Sequence, residues 1–193
     1  TGKTPLVNFI AKMLKKKFKT IIIKKGHPSH LDEMKLLKKN NKVFFEKDRE
    51  KSLKDAISKK FELAIFDDGL QDLKLKYDLR IVCFSSFLLA GNQLRIPAGP
   101  LREKLNNLRK FDAVFINGKN TNKQFLKKIK IINPDICIFS GEYVLSNYNK
   151  FKKNNYLTFS GIGNPTSFKN TLNKYRIKNK LNLTYPDHYN YSE

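Results

Sequence analysis

The run Leu63-Ala64-Ile65-Phe66-Asp67-Asp68 constrains the fold more than any other segment of this chain. Four successive apolar residues without polar alternation describe a strand buried on both faces, and such strands belong to parallel sheets covered by helices on each side. The two acids that close the run fall at the carboxyl end of the strand, where ligands collect in these folds. Short apolar runs at 20–24, 43–45, 79–84, 113–117 and 136–139 read as further strands, and segments at 6–18, 29–39, 48–60, 101–110 and 121–129 read as helices between them. Strand alternating with helix predicts an α/β fold with a doubly wound, mostly parallel sheet. The polar stretch 141–155 then separates a core domain, 1–140, from a strand and helix that open a second, smaller α/β domain over 156–193.

In the first helix Leu6, Phe9, Ile10, Met13, Leu14 and Phe18 share one face, which is expected to be the buried one, and Lys12, Lys15, Lys16 and Lys19 lie largely on the other. This helix opens directly after Gly2-Lys3-Thr4, and Pro5 suits its first turn because the missing N–H has no partner there. Gly-Lys-Thr at the head of a helix is the second half of a phosphate-binding loop. Lys3 would reach the β- and γ-phosphates, and the Thr4 hydroxyl would bind Mg²⁺. The preceding strand and glycines of such a loop are expected upstream of Thr1, as part of a longer chain. Asp67 and Asp68 stand where a phosphate-loop enzyme keeps its acidic partner for Mg²⁺, although Asp-Gly is also an ordinary turn pair. Asp32-Glu33 sits in a similar place after the strand at 20–24, and acids there also suit the dipole of a helix.

The charge restricts the partners less than its size suggests. The chain carries 39 Lys and Arg against 17 Asp and Glu, a formal net charge of +22. Only 6 of the basic residues are Arg, alongside 20 Asn and no Trp, a composition that AT-rich coding produces without selection for any ligand. Arg makes the bidentate phosphate contacts, and no stripe of interleaved Arg and aromatic residues occurs, so no nucleic-acid partner is expected. Cys83 and Cys137 each lie inside apolar runs and read as reduced, buried side chains of a cytoplasmic protein. No apolar stretch reaches the roughly 18 residues of a membrane span, and no signal peptide opens the chain.

Six segments in order resemble one family, the tetraacyldisaccharide 4'-kinases, or lipid A 4'-kinases, of Gram-negative bacteria. They are Gly2-Lys3-Thr4-Pro5, the tail of its Gly-Gly-x-Gly-Lys-Thr-Pro loop; Asp32-Glu33; Asp67-Asp68-Gly69-Leu70-Gln71; Pro97-Ala98-Gly99-Pro100-Leu101-Arg102-Glu103; Gly161-Ile162-Gly163-Asn164-Pro165; and Asp187-His188. The resemblance implies a sheet of P-loop NTPase type and transfer of a phosphoryl group from ATP, with Mg²⁺, to the 4'-hydroxyl of the lipid A disaccharide 1-phosphate. It implies work at the cytoplasmic face of the bacterial inner membrane, with a segment upstream of Thr1. Under this reading Lys12, Lys15, Lys16, Lys17 and Lys19 form a basic face toward anionic headgroups or the 1-phosphate of the substrate, where a plain solvated helix face is the other reading. It assigns Asp32 and His188 to catalysis, Thr1, Gly2, Lys3 and Thr4 to the nucleotide, Thr4, Glu33, Asp67 and Asp68 to the metal, and Arg102 and Glu103 to the acceptor. The chain departs from the family pattern where the usual Ser-Arg-Gly-Tyr reads Lys24-Lys25-Gly26-His27. It departs again where Leu31 and Met34 flank the acid pair and where Asp72 replaces a His. Two other readings use the same residues: a phosphate-loop NTPase that hydrolyses ATP or GTP without a sugar acceptor, and a basic nucleic-acid-binding module.

Overall fold

The computed structural model describes residues 2–27, 31–119, 122–151, 154–187, 189 and 191. Its chain divides into two compact units, 1–142 and 143–193. All strand pairings between its named strands are parallel, each pair being joined through helical or looped crossovers.

The first unit begins with α1 (Lys3–Leu14), followed by β1 (Thr20–Lys25), α2 (Leu31–Lys38), β2 (Val43–Glu46), α3 (Arg49–Ser58) and β3 (Leu63–Asp67). These strands form a sheet in the order β2-β1-β3. The central strand shows why the arrangement is doubly wound. Its side chains alternate between faces, so Ile22 packs with Val7 and Ala11 of α1 and Leu37 of α2, while Ile21 and Ile23 pack with Ala56 of α3 on the opposite face. All three isoleucines are fully buried, and each contributes roughly 1.5–3 kcal/mol relative to an exposed side chain. Asp48 caps α3, its carboxylate accepting from the N–H groups of Glu50 and Lys51.

A second sheet of the same unit has the order β4-β5-β6, from β4 (Ile81–Ser85), β5 (Ala113–Asn117) and β6 (Cys137–Gly141). Its core joins Phe84, Val114 and Ile116 to Phe125 and Ile129 of α4 (Lys123–Ile132). The second unit contains β7 (Tyr156–Ser160), α5 (Pro165–Lys174) and β8 (Asn179–Thr184). The Asn164 side chain caps α5 by accepting from Ser167 N–H, and Pro165 occupies the first helical turn.

Four expectations from the sequence need correction. The β3 run, expected to be buried on both faces, is only half-buried except at Asp67, because β3 is an edge strand. Its residues line a cleft of about 650 Å³ together with those of β4 and with Leu6, Val7 and Ile10 of α1. In α1 the packed positions are Thr4, Leu6, Val7 and Ala11, whereas Phe9 and Met13 are 59% and 58% exposed. At 100° per residue, Phe9 and Met13 fall in line with Lys12 and Lys16 on the outer stripe. Cys137 is exposed, not buried, at the start of edge strand β6, and Cys83 is half-buried. The helix expected at 101–110 is a short 3₁₀ turn, Leu105–Lys110, preceded by a tight loop. In that loop Ile96 N–H donates to Leu101 O at 2.8 Å and Gly99 N–H to Arg95 O at 3.0 Å. A side chain at Gly99 would strike the backbone Leu94 O at 2.5 Å and the side-chain Oδ1 of Asn92, so the loop closes only around glycine.

Candidate active site

The carboxyl ends of β1 and β3 and the first turns of α1 and α2 converge on one cluster. Gly2 takes a left-handed conformation (φ 86°) and leads into α1, with Asn117 of β5 so close that a Cβ would lie 2.6 Å from its Nδ2. Only glycine tolerates both demands. The next two residues carry the polar contacts. Thr4 is buried, and its hydroxyl donates to Asp67 Oδ2 at 2.9 Å and lies 3.3 Å from Glu33 Oε1. Lys3 Nζ donates to Asp68 Oδ1 at 2.6 Å.

Asp67 is 1% exposed and Lys24 4% exposed. Parallel pairing of β1 with β3 sets Lys24 directly opposite Asp67. Lys24 Nζ therefore reaches Asp67 Oδ2 at 2.6 Å and Glu33 Oε2 at 2.7 Å. Burial is the largest single influence on this amine and favours its neutral form, but the hydrogen bonds and charges of Asp67 and Glu33 outweigh it and leave the pKa raised. The ion-pair stabilisation is thus fully present below the ordinary lysine value and is lost as pH rises through the raised one.

Asp68 has a left-handed backbone, φ 58°. Its carboxylate accepts from Lys3 and from Arg102 Nη1, at 2.8 Å to Oδ1 and 3.0 Å to Oδ2. Burial pushes this carboxyl up, but the hydrogen bonds and charges of Lys3 and Arg102 overcome it and lower the pKa to about 2. Arg102 also donates to Gln71 Oε1 at 3.2 Å, which ties the Asp-Asp-Gly-Leu-Gln segment to the Pro-Gly loop.

The residues singled out in the sequence fall into three sets. Gly2, Lys3, Thr4, Glu33, Asp67, Asp68 and Arg102 come together. Asp32 is exposed in the first turn of α2, one residue before Glu33. Glu103 turns away to accept from Asn107 Nδ2 at 2.8 Å. Thr1 and His188 lie outside the described residues. In the second unit, Gly163 and Asp187 approach so closely that a Cβ at Gly163 would meet Asp187 Oδ2 at 2.9 Å, which joins the last two sequence segments.

Two residues of the site escaped sequence reasoning. Arg49 is buried, donates to the Asp68 carbonyl at 2.7 Å and lies 3.8 Å from Asp72 Oδ2. Lys24 stood out only as a departure from a pattern. For Lys24 the usable signal was its place as the fifth residue of a strand whose neighbours are buried.

The donor set suits a small hard cation, since Asp67, Glu33 and the Thr4 hydroxyl all offer oxygen. Asp67 Oδ1 is buried without a hydrogen-bond partner, so this carboxylate retains capacity for another ligand. Among the described residues no three His, Cys, Asp or Glu side chains gather as a metal cage, and none of the helices is long and apolar enough to cross a membrane.

Comparison with known proteins decides the lineage. The sequence profile described as tetraacyldisaccharide-1-P 4'-kinase matches residues 1–193. The chain belongs to this kinase family. Its curated relatives include the tetraacyldisaccharide 4'-kinase of Pelagibacter ubique (strain HTCC1062), 48% identical over 196 residues that take in 100% of this chain and 62% of the relative. The tetraacyldisaccharide 4'-kinase of Rickettsia canadensis (strain McKiel) is 34% identical over 209 residues, covering 99% of this chain and 63% of that protein. That of Rickettsia typhi (strain ATCC VR-144 / Wilmington) is also 34% identical, covering 99% and 64%. The chain thus spans somewhat under two thirds of the length of these kinases. Within the 4'-kinase family frame, the Lys3–Asp68–Arg102 bridge and the Thr4–Asp67–Glu33 cluster are the contacts that bring four sequence-distant segments to one place.

Proposed function

We propose that the protein transfers a phosphoryl group from ATP, with Mg²⁺, to the 4'-hydroxyl of the acylated glucosamine disaccharide 1-phosphate of lipid A biosynthesis. The observation that carries this reading is the meeting of Lys3 and Thr4, at the head of α1, with Glu33, Asp67 and Asp68 at the carboxyl edge of the sheet. Phosphoryl transfer asks mainly for alignment and charge neutralisation, and this set supplies cations and hard oxygen donors together. Thr4, Glu33 and Asp67 would hold Mg²⁺, with Asp68 beside them; when bound, the ion neutralises charge building on the phosphate oxygens. Lys3 exchanges its bond to Asp68 for the phosphates as nucleotide arrives. Arg102, bonded to the same Asp68 carboxylate, then faces the acceptor together with the neighbouring loop, whereas Glu103 stays with Asn107. Asp32, exposed and next to Glu33, accepts the proton of the sugar hydroxyl late in the transfer.

Work at the cytoplasmic face of the bacterial inner membrane draws support from α1. Its outer stripe exposes Phe9 and Met13 beside Lys12, with Lys16 following just past its end, the combination of apolar body and cationic head that suits an anionic lipid surface.

The test compares the wild type with Asp32→Asn in detergent micelles. Transfer to the disaccharide is expected to fall at least about 100-fold in the variant, while ATP binding changes by less than a few-fold. Equal transfer by both proteins would remove Asp32 from the chemistry. ATP hydrolysis that ignores the acceptor would replace the kinase reading with that of a simple NTPase.

A further inference from the structure

Lys24 is a buried charged group of the site for which the proposed chemistry has no use. Its ammonium lies between the same oxygens that would hold Mg²⁺, 2.6 Å from Asp67 Oδ2 and 2.7 Å from Glu33 Oε2, and Thr4 donates to that same Asp67 oxygen. A buried ammonium and a divalent ion cannot share two carboxylates at such distances without strong mutual repulsion. The neighbouring carboxylate, Asp68, is already engaged by Lys3 and Arg102, and no cluster of three ligating His, Cys, Asp or Glu side chains occurs among the described residues to offset that repulsion. Nor does stability alone explain the lysine. A buried ion pair adds little over an apolar pair of the same volume.

We infer that Lys24 is a tethered counter-cation: it holds Asp67 and Glu33 in place and keeps free Mg²⁺ out, so that a divalent ion enters only together with a polyphosphate. The phosphate oxygens then supply the ligands and negative charge that two carboxylates shared with a lysine lack. Asp67 Oδ1, buried and unpartnered, is the oxygen still available to the incoming ion while Oδ2 stays with Lys24. Lys24 is a positioning residue in this scheme and touches neither nucleotide nor acceptor. The inference rests on the Mg²⁺–nucleotide reading of the site.

Mn²⁺, followed by the paramagnetic resonance signal of the free aqueous ion, tests it without any turnover. In the absence of nucleotide, Lys24→Ser is expected to bind Mn²⁺ at least 10-fold more tightly than the wild type. Its unfolding midpoint should climb with added Mn²⁺ while that of the wild type stays nearly still. A folded Lys24→Ser protein that binds Mn²⁺ no better than the wild type overturns the inference. Should that variant not fold, the wild type decides alone. The protected Lys24 ammonium resonance should remain sharp at Mn²⁺ concentrations that fail to broaden exposed lysines, and selective broadening of it would be the contrary result. Adding ATP to the wild type should tighten Mn²⁺ binding. If ATP does not bind even with Mn²⁺, the nucleotide reading fails, and the comparison in Mn²⁺ alone still decides the role of Lys24.

Discussion

Asp67→Ala is expected to lower the unfolding free energy by about 3 kcal/mol, a loss set by breaking a buried ion pair from one side only. Lys24 would remain 4% exposed with Glu33 as its sole carboxylate partner, and the Thr4 hydroxyl would lose its nearer acceptor. Against a typical stability of roughly 5–15 kcal/mol, this is a large fraction of the total. The partial cover from Glu33 places the loss at the lower end of the range for such pairs. Urea unfolding of the variant measures it, and the double variant Asp67→Leu/Lys24→Met should recover most of the loss, because an apolar pair has no charge to desolvate. A cost below about 1 kcal/mol for Asp67→Ala would mean that the two side chains do not pair as described.

Lys3→Met is expected to reduce phosphoryl transfer on the order of 1,000-fold, the scale for removing one preorganised charge from a phosphoryl or oxyanion site. The loss should fall mainly on turnover, since the cation matters most as charge shifts between the phosphates. A second readout follows from Asp68. Lys3 and Arg102 together hold its carboxyl at about 2, so its bridge stabilises the fold fully above the ordinary aspartate value and is lost as pH falls through about 2. With Lys3 removed, only Arg102 remains, and the Asp68 titration followed by carbon NMR should move up toward the ordinary value. Because the Asp68 side chain is 35% exposed, solvent screening limits the bridge itself to on the order of 1 kcal/mol or less. Transfer that survives in Lys3→Met would detach this residue from the phosphates.

What the sequence made legible was the part fixed by local pattern. The β-branched run of β1 and the apolar run of β3 carry their own strand signal, and the acids at the end of β3 mark the carboxyl edge. Gly-Lys-Thr before an amphipathic segment likewise locates the start of α1. The missed parts depend on partners far away in the chain. Lys24 looks solvated beside Lys25 until the register of β1 on β3 sets it against Asp67. Arg49 looks like one more charge at a helix start, and only the fold brings it to the Asp68 carbonyl. Phe9 and Met13 fit an apolar face on the helical wheel, yet the sheet contacts the neighbouring stripe of Leu6, Val7 and Ala11. β8, with Asn179, Lys180 and Asn182 among its six residues, carries too little apolar pattern to be read as a strand, and pairing with β7 defines it.

The most direct measurement is phosphorus NMR of the product formed by the full-length protein from ATP and the disaccharide 1-phosphate in detergent, with and without Mg²⁺. The expected result is a new phosphomonoester at the 4' position that appears only with Mg²⁺ and in step with ADP. Inorganic phosphate released at the same rate whether or not the disaccharide is present would contradict it.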